Sequence, residues 1–221
     1  MPFADPEFRS DIERMLTYLS WSRRKYLDLF ERLPWKVLVR KRGSTFESIR
    51  NVHLHILAVY ARWLCLYFGK RSMAPLVRKL DTRRFAAIHS VRQLRNLNRA
   101  IDECAQRTAR ALGPDDFDRK KRVGPPGRTS MVTPREVFWH MIEEDFLHTG
   151  EIICMLWQDD IEPPYTGVLW FEYDHHPAAH QDLWLRDPSL PRPSAGGYVD
   201  RRRAKPPTRS PSKRSSSSSG N

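Results

Sequence analysis

Three side chains able to bind a metal or transfer a proton recur at four-residue intervals in "REVFWHMIEEDFLHTGEI", residues 135–152: His140, Glu144 and His148. An α-helix turns about 100° per residue, so each four-residue step adds about 40° and the three side chains form one stripe. Side chains at this spacing lie about 6 Å apart, so Glu144 and His148 can chelate one divalent ion. His140 is about 12 Å from His148 along the helix axis and is not expected in the same coordination sphere.

A third ligand has to come from another helix. The segment "VHLHILAVYARW" supplies His53 and His55, of which we prefer His55. A second cluster, "DHHPAAH", offers His175, His176 and His180. Prolines surround it, so we favour it less as a metal site than the helical stripe. Helices that bind nothing also carry Glu and His four residues apart, so the spacing alone leaves a purely structural role open.

The residues around the stripe have weaker assignments. His140 could orient the Glu144 carboxylate, act as a general base at the mouth of the site, or simply pack, and we favour packing or support of the ligands. Nearby carboxylates that could hold the imidazole rings are those of Glu143, Asp145 and Glu151.

The cysteines do not indicate a metal site or a disulfide framework. Cys65, Cys104 and Cys154 are odd in number, widely spaced, and form no C-x-x-C pair. We therefore expect them to be small buried side chains.

Four amphipathic helices are predicted to position these residues. The first is "DPEFRSDIERMLTYLSWSRRKYLDLFERL" before Leu33-Pro34, with Ile12, Leu16, Leu19, Tyr26, Leu27 and Phe30 on its apolar face. The other three run from "STFE" to Gly69, from about Thr82 to Ala111, and from "TPRE" to about Trp157. Ser44 with Glu47, and Thr133 with Glu136, have the spacing of a capping box. Helices of these lengths predict an all-α four-helix bundle.

Composition divides the rest of the chain. Residues 163–199 are Pro-rich yet aromatic, which predicts an ordered irregular arm with a short strand at "GVLWFEY". Residues 201–221 hold seven basic residues and no acidic one, and without them the net charge of +12 would fall to +5. Such a tail is predicted to be disordered and could contact nucleic acid. The predicted domains are therefore 1–165, 166–200 and 201–221.

No apolar run approaches the roughly 20 residues needed to cross a bilayer, and the N-terminal segment is charged where a signal peptide would be apolar. We therefore expect a cytoplasmic protein without membrane contact.

From about residue 8 to residue 165 the chain resembles the DinB/YfiT-like family of metal-dependent four-helix bundles. The shared features are "WSRRKYLDLFERLP", a second-helix histidine eight residues before a tryptophan, and the last helix. In that family the last helix typically reads H-x-x-x-H-x-x-x-H-R-G-Q before a Pro-Pro pair, and here "HMIEEDFLHTGEI" precedes "DDIEPPY". Glu144 replaces the middle histidine, Thr149 the arginine and Glu151 the glutamine. Relatives resembling mycothiol-dependent maleylpyruvate isomerase also have Glu in the middle position.

The resemblance implies that the metal ligands are His55, Glu144 and His148. It also implies a metal-dependent transferase or hydrolase that acts on a small molecule by thiol S-transfer or hydrolysis, with a low-molecular-weight thiol as a second cofactor. Two imidazoles and a carboxylate suit zinc, nickel, iron or manganese. A homodimer is expected. The alternative is a non-catalytic metal-stabilised binding protein that contacts nucleic acid through residues 201–221.

Overall fold

The computed structural model describes residues 6–124, 127–168, Phe171 and His175, and most of these residues are helical. The helices are α1 (Pro6–Arg32), α2 (Trp35–Val39), α3 (Ile49–Leu66), α4 (Ala74–Lys79), α5 (Val91–Arg110) and α6 (Pro134–Trp157). Short 3-10 helices span Arg71–Met73, Thr82–Ala87 and Pro114–Asp116. The all-α fold class is confirmed.

The four long helices pack around a common apolar interior. α1 packs against α5 and α6, and α3 packs against the same two helices. The predicted apolar face of α1 is buried: Ile12, Leu16, Leu19, Tyr26, Leu27 and Phe30. The neighbouring helices α3 and α6 carry the residues predicted as metal ligands. The neighbouring helices α1 and α5 line a separate cavity.

The predicted start of the second helix was wrong. Ser44 and Glu47 form a turn in which the Glu47 N–H donates to the Ser44 carbonyl, and Glu47 has a positive φ of 63°. Ser48 caps α3 instead, since its side chain accepts a hydrogen bond from the Asn51 N–H. The end was predicted well: Gly69 has a φ of +65°, a conformation that glycine adopts without a Cβ penalty.

The predicted third helix is two elements. Asp81 caps the 3-10 helix Thr82–Ala87 by accepting from the Arg83 N–H, and the chain is extended at Ile88. Ser90 then caps α5 by accepting from the Gln93 N–H. Two local side-chain caps thus start two helices where the apolar pattern indicated one.

The start of α6 is confirmed. Thr133 and Glu136 form a complete capping box, with Pro134 in the first turn. A short antiparallel hairpin that was not predicted, β1 (Lys121–Val123) with β2 (Ser130–Val132), precedes this helix.

Part of the predicted arm is ordered against α1. The Tyr18 hydroxyl donates to the Thr166 carbonyl, and the buried Phe171 ring packs edge-on to Tyr18 and Trp21. Val168 and Phe171 have helical backbone, and the Phe171 N–H donates to the Gly167 carbonyl, so the predicted strand is wrong there. The 201–221 tail and most of 166–200 lie outside the described residues. Within the described part, no helix is long and apolar enough to cross a membrane.

Candidate metal centre

α3 and α6 bring the three predicted ligands together. His55 lies on α3, and Glu144 and His148 lie one turn apart on α6. Glu144 Oε2 is 3.3 Å from His55 Nε2 and 3.1 Å from His148 Nε2. The potential ligand atoms of all three residues lie within 4.8 Å of one another. One carboxylate oxygen therefore stands between two imidazole nitrogens.

These separations fit a shared divalent ion. Two ligand atoms about 2.1 Å from one ion, at a tetrahedral angle, lie about 3.4 Å apart. The two measured Nε2–Oε2 distances, 3.3 and 3.1 Å, are close to that spacing. The donors are imidazole nitrogen and carboxylate oxygen, the set that zinc, iron, nickel and manganese accept. The residues present therefore make a candidate metal-binding site.

The His148 ring is fixed from its other side. Its Nδ1 lies 2.7 Å from Glu151 Oε2, and Glu151 Oε1 accepts a 3.0 Å hydrogen bond from the Thr45 hydroxyl. Both ring nitrogens thus face a carboxylate oxygen, and a divalent ion bound at Nε2 would leave Nδ1 as the nitrogen that donates to Glu151. Of the three carboxylates named from the sequence, Glu151 takes this position.

The loop before α3 covers one side of the cluster. Phe46 stacks on the His55 ring with centroids 3.9 Å apart, and it meets the His148 ring edge-on at 5.3 Å. Partial burial lowers the pKa of His55, although the hydrogen bond to Glu144 opposes this shift. The shift favours the neutral imidazole, which is the form that binds a metal.

His140 lies beside the cluster rather than within it. Its Nε2 is 3.9 Å from Glu144 Oε1, the carboxylate oxygen that does not lie between the other two imidazoles. The ring meets Trp63 edge-on at 5.6 Å and its side chain is 42% exposed. His140 therefore lies outside the three-residue cluster, and its role stays a prediction.

A model of the DinB family matches residues 7–182 of the chain, which is well over half of its length. The chain belongs to the DinB family. No curated protein gives a significant match.

The other histidines considered as metal ligands in this DinB family member have different surroundings. His53 points into the core, where Phe30 packs edge-on to it, and burial lowers the pKa of His53 to about 3, assisted by the nearby Arg23. His175 Nδ1 donates to the Phe171 carbonyl over 2.8 Å. His176 and His180 lie outside the described residues.

The cysteine prediction holds for only part of the set. Cys104 is buried and Cys65 is partly buried, but Cys154 is exposed on α6. Cys154 is exposed because it lies on the outer side of α6, between the buried positions Ile152 and Met155.

A buried ionic network next to the candidate metal centre was not predicted. Arg23, on α1, forms ion pairs with Asp102 on α5 and with Asp145 on α6. The Tyr60 hydroxyl donates a 3.1 Å hydrogen bond to Asp145, and the Arg23 guanidinium lies 4.8 Å from the Tyr60 ring centroid. The DinB fold of this chain thus buries one cation with two carboxylates, and one of these, Asp145, directly follows the candidate ligand Glu144.

Proposed function

We propose that this DinB family member is a divalent-metal-dependent enzyme acting on a small molecule, with His55, Glu144 and His148 as its metal ligands. The observation that carries the proposal is the position of Glu144 Oε2 between two imidazole Nε2 atoms. An acidic oxygen this close to two ring nitrogens, on helices that need no such contact to pack, is the arrangement expected of a ligand set.

Three protein ligands leave coordination positions open, which is typical of catalytic rather than structural sites. A divalent ion there would act as a Lewis acid that lowers the pKa of a water or thiol in an open position. Hydrolysis and thiol S-transfer both need such an activated nucleophile, so both reactions remain within the proposal. Zinc, nickel, iron and manganese all suit the ligand set.

The residues of the chain itself have definite roles in this proposal. Glu151 holds the His148 tautomer, and Thr45 in turn orients Glu151. Phe46 shields one side of the His55 ring from water. His140 is half-exposed at the rim, where its Nε2 can accept or return a proton without leaving the site.

We also propose that α1, α3, α5 and α6 constitute the four-helix bundle that the resemblance implies. Each of these helices packs on two of the other three, and the candidate site is built from side chains of two facing helices, as in other bundles. The homodimer, the cytoplasmic location, the thiol cofactor and contact of residues 201–221 with nucleic acid stay predictions.

Turnover after metal removal and restoration tests the function. The full-length protein would be stripped with a chelator, reloaded with zinc, nickel, iron or manganese in turn, and assayed with small thiols plus electrophilic acceptors and with model esters and amides. We expect activity only in a reloaded form and its loss in His148→Ala. Stoichiometric metal without turnover on any of these substrates would instead favour the non-catalytic metal-stabilised protein.

A further inference from the structure

One cavity of the molecule has no candidate metal ligand among its lining residues. It has a volume of about 400 Å³ and lies between α1 and α5, whereas the metal centre lies between α3 and α6. Four arginines line it: Arg24 of α1, and Arg92, Arg95 and Arg99 of α5. We name this cavity the arginine groove.

The floor of the arginine groove is polar, and its hydrogen bonds are already formed. Ser20 donates to Asp102 at 2.7 Å, and Asn98 donates to the same Asp102 oxygen at 2.7 Å. The other Asp102 oxygen accepts from Arg23, which also donates to Asn98. These three floor residues are buried, and Asp102 shares its cation, Arg23, with the carboxylate of Asp145. This buried network holds one cation for two carboxylates, so it offsets at most one of the four arginine charges above it.

Three of the four arginines have no carboxylate partner within the described part of the chain. Arg95 is the exception, since it contacts Asp28 and Glu31 at 2.7 Å each. Arg24 donates to the neutral Ser20 hydroxyl, and Arg99 contacts the neutral Asn96 side chain at 3.4 Å. Arg92 is exposed and forms no ion pair with any described residue. The lining carboxylates are Asp102 and Glu103, and Glu103 contacts Arg107 outside the groove at 3.6 Å. Four arginines against two carboxylates leave the lining net positive, and an anion there would relieve the repulsion among the arginines.

We propose that the arginine groove binds the phosphate group of a small phosphorylated molecule. Guanidinium groups present several N–H donors in a planar fork that matches phosphate oxygens, and such charge-assisted bonds are stronger than neutral ones. The volume of the groove falls within the range of small-molecule sites, which favours a small ligand over an extended polymer. The groove shares no residue with the metal centre, so this site does not depend on the proposed enzymatic function.

Calorimetric titration of the full chain with inorganic pyrophosphate at low salt tests the proposal. The groove variant is Arg92→Gln/Arg99→Gln. Its control is Arg71→Gln/Arg78→Gln, which removes the same charge from exposed positions outside α1 and α5. All three proteins keep the basic residues 201–221 and the metal centre. We expect the parent and the control to bind pyrophosphate alike and the groove variant to bind at least about tenfold more weakly, since two charged hydrogen-bonding groups are lost.

Equal affinity in the groove variant and the control would overturn the proposal, because pyrophosphate would then bind at the metal centre, at the basic C-terminal residues or by general charge. Absence of pyrophosphate binding in the parent would also overturn it.

A parallel titration with a single-stranded oligonucleotide distinguishes the two sources of phosphate. If the groove substitutions weaken only oligonucleotide binding, the groove is a nucleic-acid contact and the small-ligand proposal fails. Circular dichroism of each variant checks that the helices are retained.

Discussion

His148 lies between two carboxylates: its Nδ1 is 2.7 Å from Glu151 Oε2, and its Nε2 is 3.1 Å from Glu144 Oε2. Partners of this kind fix the ring orientation and the tautomer of a metal-binding histidine, and their removal typically weakens metal affinity about 10–100-fold. The relationship is therefore the one that the proposed ligand set requires of His148.

Glu151→Ala should weaken metal binding about 10–100-fold, because His148 loses the acceptor that holds its proton on Nδ1. Glu143→Ala is the matched control, since Glu143 is an exposed carboxylate on the same helix. The measurement is metal affinity by competition with a chromophoric chelator. Equal affinity in the two variants would mean that Glu151 does not support a ligand.

His140→Ala should keep most of the bound metal, because the His140 ring approaches only Glu144 Oε1, at 3.9 Å, and lies on the far side of the carboxylate. Under the proposed function its turnover should fall while its metal content stays within about twofold of the parent, since general acid–base groups typically contribute about 100-fold or more to rate. Elemental analysis paired with the activity assay separates the two effects. Loss of metal in this variant would show that His140 is a ligand.

The sequence predicted best those features whose geometry is set by a few residues close together in the chain. The four-residue spacing of Glu144 and His148 and the capping box at Thr133 both depend on a few neighbouring residues, and both have the expected geometry. The choice of His55 over His53 needed the resemblance as well, because the two rings point to opposite faces of α3. The start of α3 was misplaced because Ser44 and Ser48 are both competent caps, and a turn at Glu47 decided between them.

The buried ionic network could have been inferred from a signal that was overlooked. Arg23 occupies the apolar stripe of α1, four residues after Leu19 and four before Leu27. Asp145 similarly lies between Met141 and His148 on the inward face of α6. A charge at a core position predicts a buried partner, although its identity depends on helix packing that the sequence alone does not reveal.

Arg23→Met should lower the free energy of unfolding by about 3–5 kcal/mol, because Asp102 and Asp145 would remain buried without a cation. Arg24→Met removes the exposed neighbouring charge and should change stability by about 0.5 kcal/mol or less. Urea unfolding followed by circular dichroism compares the two variants. Similar losses in both would mean that the network contributes little.

His53 should make the protein less stable in acid. In the unfolded chain its pKa is about 6.5, whereas in the folded protein burial lowers the pKa to about 3. As the pH falls below about 6.5, the unfolded chain gains a proton that the folded chain cannot take up. Stability therefore decreases by up to about 1.4 kcal/mol per pH unit until about pH 3.

His53→Phe keeps an aromatic ring against Phe30 and removes the titrating nitrogen. Between about pH 7 and about pH 5, this variant should lose about 2 kcal/mol less stability than the parent. Urea unfolding at a series of pH values gives both curves, and the acidic residues common to both proteins cancel in the difference. Parallel curves would show that His53 is already protonated or hydrated in the folded state.

The metal content of the purified protein tests the central claim most directly. The parent, His55→Ala and Glu144→Ala, prepared without a histidine tag or chelator and supplied with zinc, nickel, manganese and iron, would be compared by elemental analysis, with far-ultraviolet circular dichroism as the check on folding. The account predicts about one divalent ion per parent chain and at least about tenfold weaker metal retention in both variants. The two substituted residues are 89 positions apart in sequence, yet His55 Nε2 contacts Glu144 Oε2. Equal metal content in folded parent and variants, or no metal in the parent under any of the four conditions, would contradict it.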